Sequence, residues 1–285
     1  MVLEKYEKLR DLLRSYGSCV VAYSGGVDSV FLAYVAHDVL GDKALAVIAD
    51  SPSLPRHELA EALAIGQRFQ FPVQVAHTHE FENPEYLANP NNRCYFCKHE
   101  LFTELAPLAK AGGFAVIAYG ENASDVGDYR PGAQAASEFA VRAPLKEAGL
   151  TKADIRELSA QAGLPTAHKP QMACLSSRIP YGEAVTPEKL KMIEQAEQVL
   201  RELGFYDVRV RHHELGTGTR LQLARIEVGP DELRKFLENG ISTTVTEALK
   251  KVGYYHVTVD LQGYRRGSAN EVFKAPAAER SPAKD

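Results

Sequence analysis

The 285-residue chain has no apolar run approaching the roughly 18 residues of a membrane span. A transmembrane helix is therefore not expected, and neither is a membrane partner. A signal peptide is not expected either: Met1 to Arg14 mixes Glu, Lys and Arg with spaced Leu and Tyr, the pattern of an amphipathic helix. The expected location is cytoplasmic. There is no large excess of charge of either sign. Lys and Arg number 33 against 37 Asp and Glu, a formal net charge of −4, and the pI is near 6.2. That balance argues against broad attraction to nucleic acid and leaves room only for a local basic patch. Nucleic acid is not an expected partner. Cysteine is scarce, at four residues. In a cytoplasmic protein so few cysteines point to thiol, metal or cluster chemistry before disulfides. No Gly-Lys-Ser/Thr loop of the Walker type occurs, and no internal repeat. What remains is an ordinary globular composition, 45% hydrophobic and 25% charged, long enough for one large or two modest domains.

The most informative stretch is Tyr23-Ser24-Gly25-Gly26-Val27-Asp28-Ser29. The apolar run Ser18 to Tyr23 before it reads as a buried strand, and Val30 to Ala36 after it as a helix. Two glycines let the backbone come close to a ligand. Unpaired amides at the helix start, with the helix dipole behind them, favour an anion. Asp28 and Ser29 suit a first helical turn and also a metal ion or a phosphate oxygen. A bare Gly-Gly turn before a helix would need no ligand. The full string resembles the pyrophosphate loop of the PP-loop ATPases, Ser-Gly-Gly-x-Asp-Ser after a short apolar strand. Such enzymes release pyrophosphate and pass AMP to a substrate oxygen.

From residue 18 to about 165, strand-like and helix-like segments alternate. Further strands are expected at 44–50, 72–77 and 114–120, and helices at 56–69, 98–111 and 151–162, the last with Thr151 as N-cap and Asp154 completing a capping box. Such alternation implies a doubly wound parallel sheet, an α/β fold, with its ligand beyond the carboxyl ends of the strands. Ser24, Asp50-Ser51 and Tyr119-Gly120-Glu121 all fall at such ends. Three long loops, 78–97, 120–143 and 163–185, interrupt the pattern and are candidates for function. Beyond residue 185 the character changes. A helix capped by Thr186 is expected to Leu203, strands at 207–212, 221–228 and 255–261, and helices at 231–238 and 243–251. The domains are drawn as 1–183, a PP-loop ATP pyrophosphatase domain, 184–273, a small α+β domain, and 274–285, a tail expected to be disordered.

Cys19 lies inside the first strand and reads as a small buried hydrophobe. Cys94 and Cys97 form one Cys-x-x-Cys in a long loop, and Cys174 lies in another. Three thiolates can hold a four-iron cluster and leave one iron open. A zinc site wants a fourth ligand, for which His99 and His168 are near, and plain thiols need no metal. Arg178, four residues after Cys174, suits charge stabilisation at phosphates, or is a solvated surface arginine. Asp128 and Arg130 either bind substrate or fix a turn. Arg209 and Arg211 alternate on a strand and so face one way. They bind an anion, contact another subunit, or pair with Glu227 across the strands. Arg265 and Arg266 carry the same ambiguity. His212 and His213 point to opposite faces and make a poor metal pair.

Five segments together resemble the LarE family: the PP-loop, Cys94-Tyr-Phe-Cys97-Lys, Gly127-Asp-Tyr-Arg-Pro-Gly132, Cys174-Leu-Ser-Ser-Arg-Ile-Pro-Tyr-Gly182 and Gly263-Tyr-Arg-Arg-Gly-Ser268. The likeness spans roughly residues 5 to 273 of the sequence, and it is the combination that is specific. It implies an ATP-dependent sulfur transferase of nickel-pincer cofactor synthesis, which serves lactate racemase maturation. Such an enzyme adenylylates both carboxylates of pyridinium-3,5-biscarboxylic acid mononucleotide and converts them to thiocarboxylates. Ser24, Gly25, Gly26, Asp28, Ser29, Asp50 and Ser51 would bind ATP, with Asp28 near Mg²⁺. Asp128, Arg130, Ser177, Arg178, Arg209 and Arg211 would bind substrate, and Cys174, Asp28 and Arg178 would act in catalysis. In one branch of the family the cysteine matching Cys174 gives up its own sulfur. Cys94 and Cys97 depart from that branch and match another, in which three cysteines hold a [4Fe-4S] cluster fed by a sulfide donor. The resemblance also implies a homo-oligomer. Other readings are a PP-loop tRNA thiolase, an amidotransferase-type synthetase, which has no use for the three cysteines, and a nucleotide-binding or redox-sensing module without turnover.

Overall fold

The computed structural model of the chain describes residues 1–125, 131–170, 173–216, 221–265 and 267–268. By its contacts the chain divides into two units, Met1–Ala173 and Cys174–Asp285. The sequence reading draws the border at 183/184. The contact-based border assigns the segment from Cys174 to Arg178 to the second unit.

The first unit runs α1 (Val2–Tyr16), β1 (Cys19–Tyr23), α2 (Val27–Leu40), β2 (Ala44–Asp50), α3 (Arg56–Arg68), β3 (Val73–His77), α4 (Pro84–Leu87), α5 (Arg93–Ala111), β4 (Val116–Tyr119), α6 (Pro131–Glu138), α7 (Pro144–Glu147) and α8 (Lys152–Gln161). Its strands pair in parallel in the order β3-β2-β1-β4. Every residue of β1 is buried. Alternation along the strand explains why. Cys19, Val21 and Tyr23 join a core with Leu9 and Leu13 of α1 and Val30 and Phe31 of α2. Val20 and Ala22 join a second core with Leu101, Phe102 and Leu105 of α5 and Ala135 and Ala136 of α6. A strand covered on both faces reads as an unbroken apolar run, and this one does. The doubly wound α/β sheet is therefore present as expected. Its order reverses at β1, with β2 on one side and β4 on the other. The crevice outside the carboxyl ends of β1 and β4 is the switch point at which such sheets take ligands. Burial pushes the Cys19 thiol up to about 12, so it stays protonated as part of the core.

Some boundaries move. α5 begins at Arg93, not at Lys98, because Arg93, Leu101, Phe102, Leu105 and Ala109 form one buried stripe. Cys94 and Cys97 thus sit in the first turns of a helix and not in a loop. α6 packs close beside them, since a β-carbon on Gly132 would lie 2.9 Å from Lys98 Cγ and 3.5 Å from the Cys94 carbonyl oxygen. The strand expected at 114–120 is shorter, and the helix expected at 231–238 is a 3₁₀ helix, Pro230–Leu237. Thr151 caps α8 within a capping box, as its sequence indicates.

The second unit is a small α+β assembly of α9 (Pro187–Glu202), β5 (Val208–Glu214), β6 (Gln222–Val228), α10 (Ile241–Val252) and β7 (His256–Val259). β5 and β6 are antiparallel and β6 and β7 parallel. Thr186 caps α9 through its side chain. The buried stripe of α9 contributes Ala196 and Leu200 to a core with Val208, Val210, Ala224, Ile226 and Val228. Arg266 and the tail from residue 269 onward, including the expected disordered segment 274–285, lie outside the described residues.

His212 of β5 is fully buried beside the Tyr254 hydroxyl, with no hydrogen-bond partner at Nε2. Burial, reinforced by the nearby Lys189 charge, brings its imidazole down to about 4. The folded state therefore binds this proton less readily than the unfolded chain, whose His titrates near its ordinary 6.5. Stability from neutral His212 is complete above about pH 6.5 and is lost as the pH falls toward 4. Urea unfolding of the second unit's signal is expected to show on the order of 2 kcal/mol lost between pH 7.5 and 5, and His212→Gln is expected to remove most of that slope. An unchanged slope in the variant would assign the acid sensitivity elsewhere.

Candidate active site

The loop after β1 is built for close approach. Gly25 has φ +69°, and a β-carbon there would lie 2.9 Å from Ala62 Cβ of α3. Gly120, at the end of β4, comes equally near the first turn of α2: its β-carbon would lie 3.0 Å from the Ser29 amide nitrogen. Ser29 ties the loop from inside. Its Oγ accepts from the Ser24 amide at 3.1 Å, donates to the Gly26 carbonyl at 3.1 Å and lies 3.0 Å from Ser24 Oγ. Amides at the start of α2 thus face the crevice with the helix dipole behind them, an anion site. Asp28, in the same turn, accepts from Lys152 Nζ at 2.7 Å.

The neighbouring strand ends complete this face. Asp50 closes β2 and accepts from Arg56 at 2.6 Å. Ser51 is buried, 2.8 Å from Ser53 Oγ, and Ser53 donates to Glu80, also buried, at 3.4 Å. Beyond β4, Glu121 is buried, takes a hydrogen bond from Tyr119 and pairs with Lys146 at 2.9 Å. The Lys169 ammonium bonds Glu58 and Glu61 of α3 at 2.6 and 2.8 Å. Burial alone would raise the Glu58 carboxyl, but hydrogen bonds from His57 and Lys169 outweigh it and hold it at about 2. This pair fastens residue 169, close ahead of Cys174 in sequence, to the helix that flanks the phosphate loop.

None of the four cysteines is in a disulfide. Cys94 is exposed and Cys97 half-buried, one helical turn apart on α5. Cys174, half-buried, belongs to the second unit and precedes a 3₁₀ turn, Leu175–Arg178. Among the described residues no group of three His, Cys, Asp or Glu side chains is gathered to hold a metal ion. Asp128 and Arg130 lie outside the described residues.

Arg178 is neither a surface arginine nor an open cation. Its side chain is fully buried, and Nε and Nη2 donate to the two oxygens of Glu197 at 2.8 and 3.1 Å. Its Nη1 donates to the Cys174 carbonyl and to Ser177 Oγ, both at 3.1 Å. Glu197 also accepts from Arg201 and from the Val210 amide. Burial opposes the charge on Glu197, but Arg178 prevails and keeps its carboxyl below the usual range. Arg209 and Arg211 are buried as well. Arg211 pairs with Glu227 at 2.8 Å and donates to the Ser177 carbonyl at 2.9 Å. Arg209 lies over the Tyr264 ring at 4.7 Å, donates to the Val208 carbonyl and meets Asp207 at 3.4 Å. Burial, then the nearby Arg178 charge, lowers its pKa. The cross-strand Glu227 is present, but on a buried face and not in solvent. The Cys174–Ser177 segment is therefore held by two arginines, with a third beside them.

Sequence reasoning does not find Lys152, Lys169, Glu58 or Glu197. Glu197 carries a signal, being an acid within the apolar stripe of α9 (Leu190, Ile193, Ala196, Leu200). Lys152 follows the recognised N-cap Thr151. Its partner is 124 residues away in sequence, and no local pattern connects the two.

The NAD synthase family model matches residues 2–84, the stretch that contains the phosphate loop. Over 96% of its length the chain is 44% identical to an uncharacterized protein of Synechocystis sp., and covers 99% of that protein. Over 93% of its length it is 34% identical to the pyridinium-3,5-bisthiocarboxylic acid mononucleotide synthase of Lactiplantibacillus plantarum, and covers 92% of it. A weaker likeness, 25% identity over 69% of the chain and 67% of the relative, links it to one chain of the glutamine-hydrolyzing GMP synthase of Methanopyrus kandleri.

The burial of Arg178 generates a prediction. Removing it leaves Glu197 charged and desolvated, so Arg178→Ala is expected to cost the second unit about 3–5 kcal/mol by denaturant titration. A variant as stable as the parent, but inactive, would make Arg178 a catalytic group and not a structural one.

Proposed function

We propose, because this chain belongs to the LarE family of PP-loop sulfur transferases, that it adenylylates the carboxylates of pyridinium-3,5-biscarboxylic acid mononucleotide and converts them to thiocarboxylates. The observation that carries this reading is the built anion cradle at Ser24–Ser29, in a chain that shares almost its whole length with a synthase of that product.

The cradle suits pyrophosphate. The α2 amides, Ser24 and Ser29 bind its oxygens, and Asp50 and Ser51 lie at the next strand end for the nucleoside. Asp28 is the residue to hold Mg²⁺, which when bound offsets charge on the departing pyrophosphate. A substrate carboxylate oxygen attacks the α-phosphorus, and pyrophosphate leaves with the bonding pair. The acyl carbon then carries AMP as its leaving group. Sulfur attacks that carbon and AMP departs, leaving the thiocarboxylate. Arg209 and Arg211 present guanidinium groups on a buried face and suit the substrate's phosphate. Asp128, Arg130 and Ser177 complete the proposed substrate set. Arg178 acts by holding the Cys174 segment in place.

Three cysteines outside any disulfide, two of them one turn apart on one helix, are the soft donors an iron–sulfur cluster takes, although the described residues do not gather the three together. Cys94, Cys97 and Cys174 would hold a [4Fe-4S] cluster, which when bound supplies a sulfide nucleophile. The product serves nickel-pincer cofactor formation and so lactate racemase maturation.

Anaerobic iron and labile-sulfide analysis, with AMP formation in the presence of the mononucleotide, tests the reading. About four irons per chain, lost in Cys94→Ala, Cys97→Ala and Cys174→Ala alike, are expected. No iron after reconstitution, with Cys174 alone required and losing the mass of H₂S in turnover, would replace the cluster by a sacrificial cysteine. AMP formation indifferent to the mononucleotide would remove the substrate assignment.

A further inference from the structure

Lys152 is the first residue of α8, and its backbone is fixed from three sides. Thr151 and Asp154 form the capping box, Asp154 is bridged to Lys5 of α1 at 2.7 Å, and the Lys152 amide donates to Ser124 Oγ at 3.0 Å. From that anchored base the side chain reaches the first turn of α2, where its ammonium meets Asp28 Oδ2 at 2.7 Å. The Lys152 side chain is 31% exposed and that of Asp28 21%. This is the carboxylate that the proposed function assigns to the metal, and an ammonium at hydrogen-bond distance occupies the place a cation would take. One carboxylate oxygen cannot serve an ammonium and a divalent ion at full strength together. A lysine on a flexible four-carbon stem can leave, and the polyanion bound within the same turn is the nearest place for its charge.

We propose that Lys152 is a positioning residue for nucleotide activation. It keeps Asp28 neutralised while the site is empty, gives up that oxygen when the metal binds, and moves to the nucleotide's phosphates. The inference rests on the reading that this loop binds ATP with Mg²⁺. It makes two opposite demands of one side chain. Without nucleotide, Lys152 competes with the metal. With nucleotide, it assists binding.

The test uses the full chain, Mn²⁺ as a spectroscopic metal probe, and α,β-methylene-ATP, whose α–β bridge cannot break to release pyrophosphate and transfer AMP. In Lys152→Met, free Mn²⁺ is expected to bind about tenfold more tightly, because its competitor is gone. The methylene analogue with Mg²⁺ is expected to bind about ten- to a hundredfold more weakly, because a charge-assisted contact is lost. Lys152→Arg, which keeps the charge, is expected to restore most of the analogue affinity, and a thermal midpoint of each variant checks the fold. Mn²⁺ affinity that is unchanged or reduced in Lys152→Met, or analogue affinity that is unchanged, overturns the inference and leaves Lys152 a tie between α8 and α2. If the parent protein does not bind the analogue with Mg²⁺ at all, the nucleotide reading itself fails and this inference with it.

Discussion

At two backbone positions around the first turn of α2 there is no room for a side chain. Gly25 is pressed against Ala62 of α3, and Gly120 against Ser29 and Asp28. The end of β1, the flank of α3 and the end of β4 therefore converge on one turn of helix. This convergence is what makes the switch point of the sheet a site. Any β-carbon at Gly25 would meet both a contact and a left-handed φ, and at Gly120 it would push β4 away from the α2 amides. The complete burial of β1 follows from the same requirement. A strand that must deliver a fixed loop needs both its faces held, and two separate cores hold them.

Ion pairs do the corresponding work on the longer loops, and their burial decides what each contributes. Met1–Glu4 and Arg14–Asp11 are exposed pairs within one helix and add little to stability. Arg178–Glu197 is fully buried. Its attraction is spent largely against desolvation, so its net stabilisation is small, but it is costly to break from one side. A pair of that kind sets geometry. Arg178 is committed at once to Glu197, to the Cys174 carbonyl and to Ser177, so it fixes where the cysteine segment begins. Lys169 does the same in the first unit, with two glutamates of α3 bonded to one ammonium.

Much of this architecture is legible in the amino-acid order alone. β2 is read at its observed limits, and the caps Thr151 and Thr186 are visible because capping chemistry is local. The phosphate loop is visible because glycines, acid and hydroxyls sit within a few residues. The start of α5 is not, since Arg93 reads as polar and its burial depends on partners elsewhere. Arg178 reads as a catalytic cation or a solvated arginine, and its burial against Glu197, 19 residues away on another helix, rules out the solvated one. The same limit hides Lys152. Charges that act through a partner distant in sequence leave no periodic trace.

In the proposed function, charge accounts for two such different polar regions in one chain. Joining a carboxylate to the α-phosphorus of a nucleotide brings together two anions, and each must be neutralised where it binds. The first unit has what a polyphosphate needs: backbone amides, hydroxyls, a carboxylate for a metal, and a lysine beside it. In the proposed function the second unit would meet a phosphorylated acid with Arg209 and Arg211, which lie on one buried strand face beside the cysteine segment. The overall charge of −4 is no obstacle, because the positive groups are local. The two strand arginines differ in the contacts they make. Arg211 is bound to the buried Glu227 at 2.8 Å and to the Ser177 carbonyl, so it holds the frame. Arg209 lies over the Tyr264 ring, meets Asp207 at 3.4 Å and feels the repulsion of the buried Arg178 charge. In the proposed function, a substrate phosphate beside Arg209 would offset that repulsion.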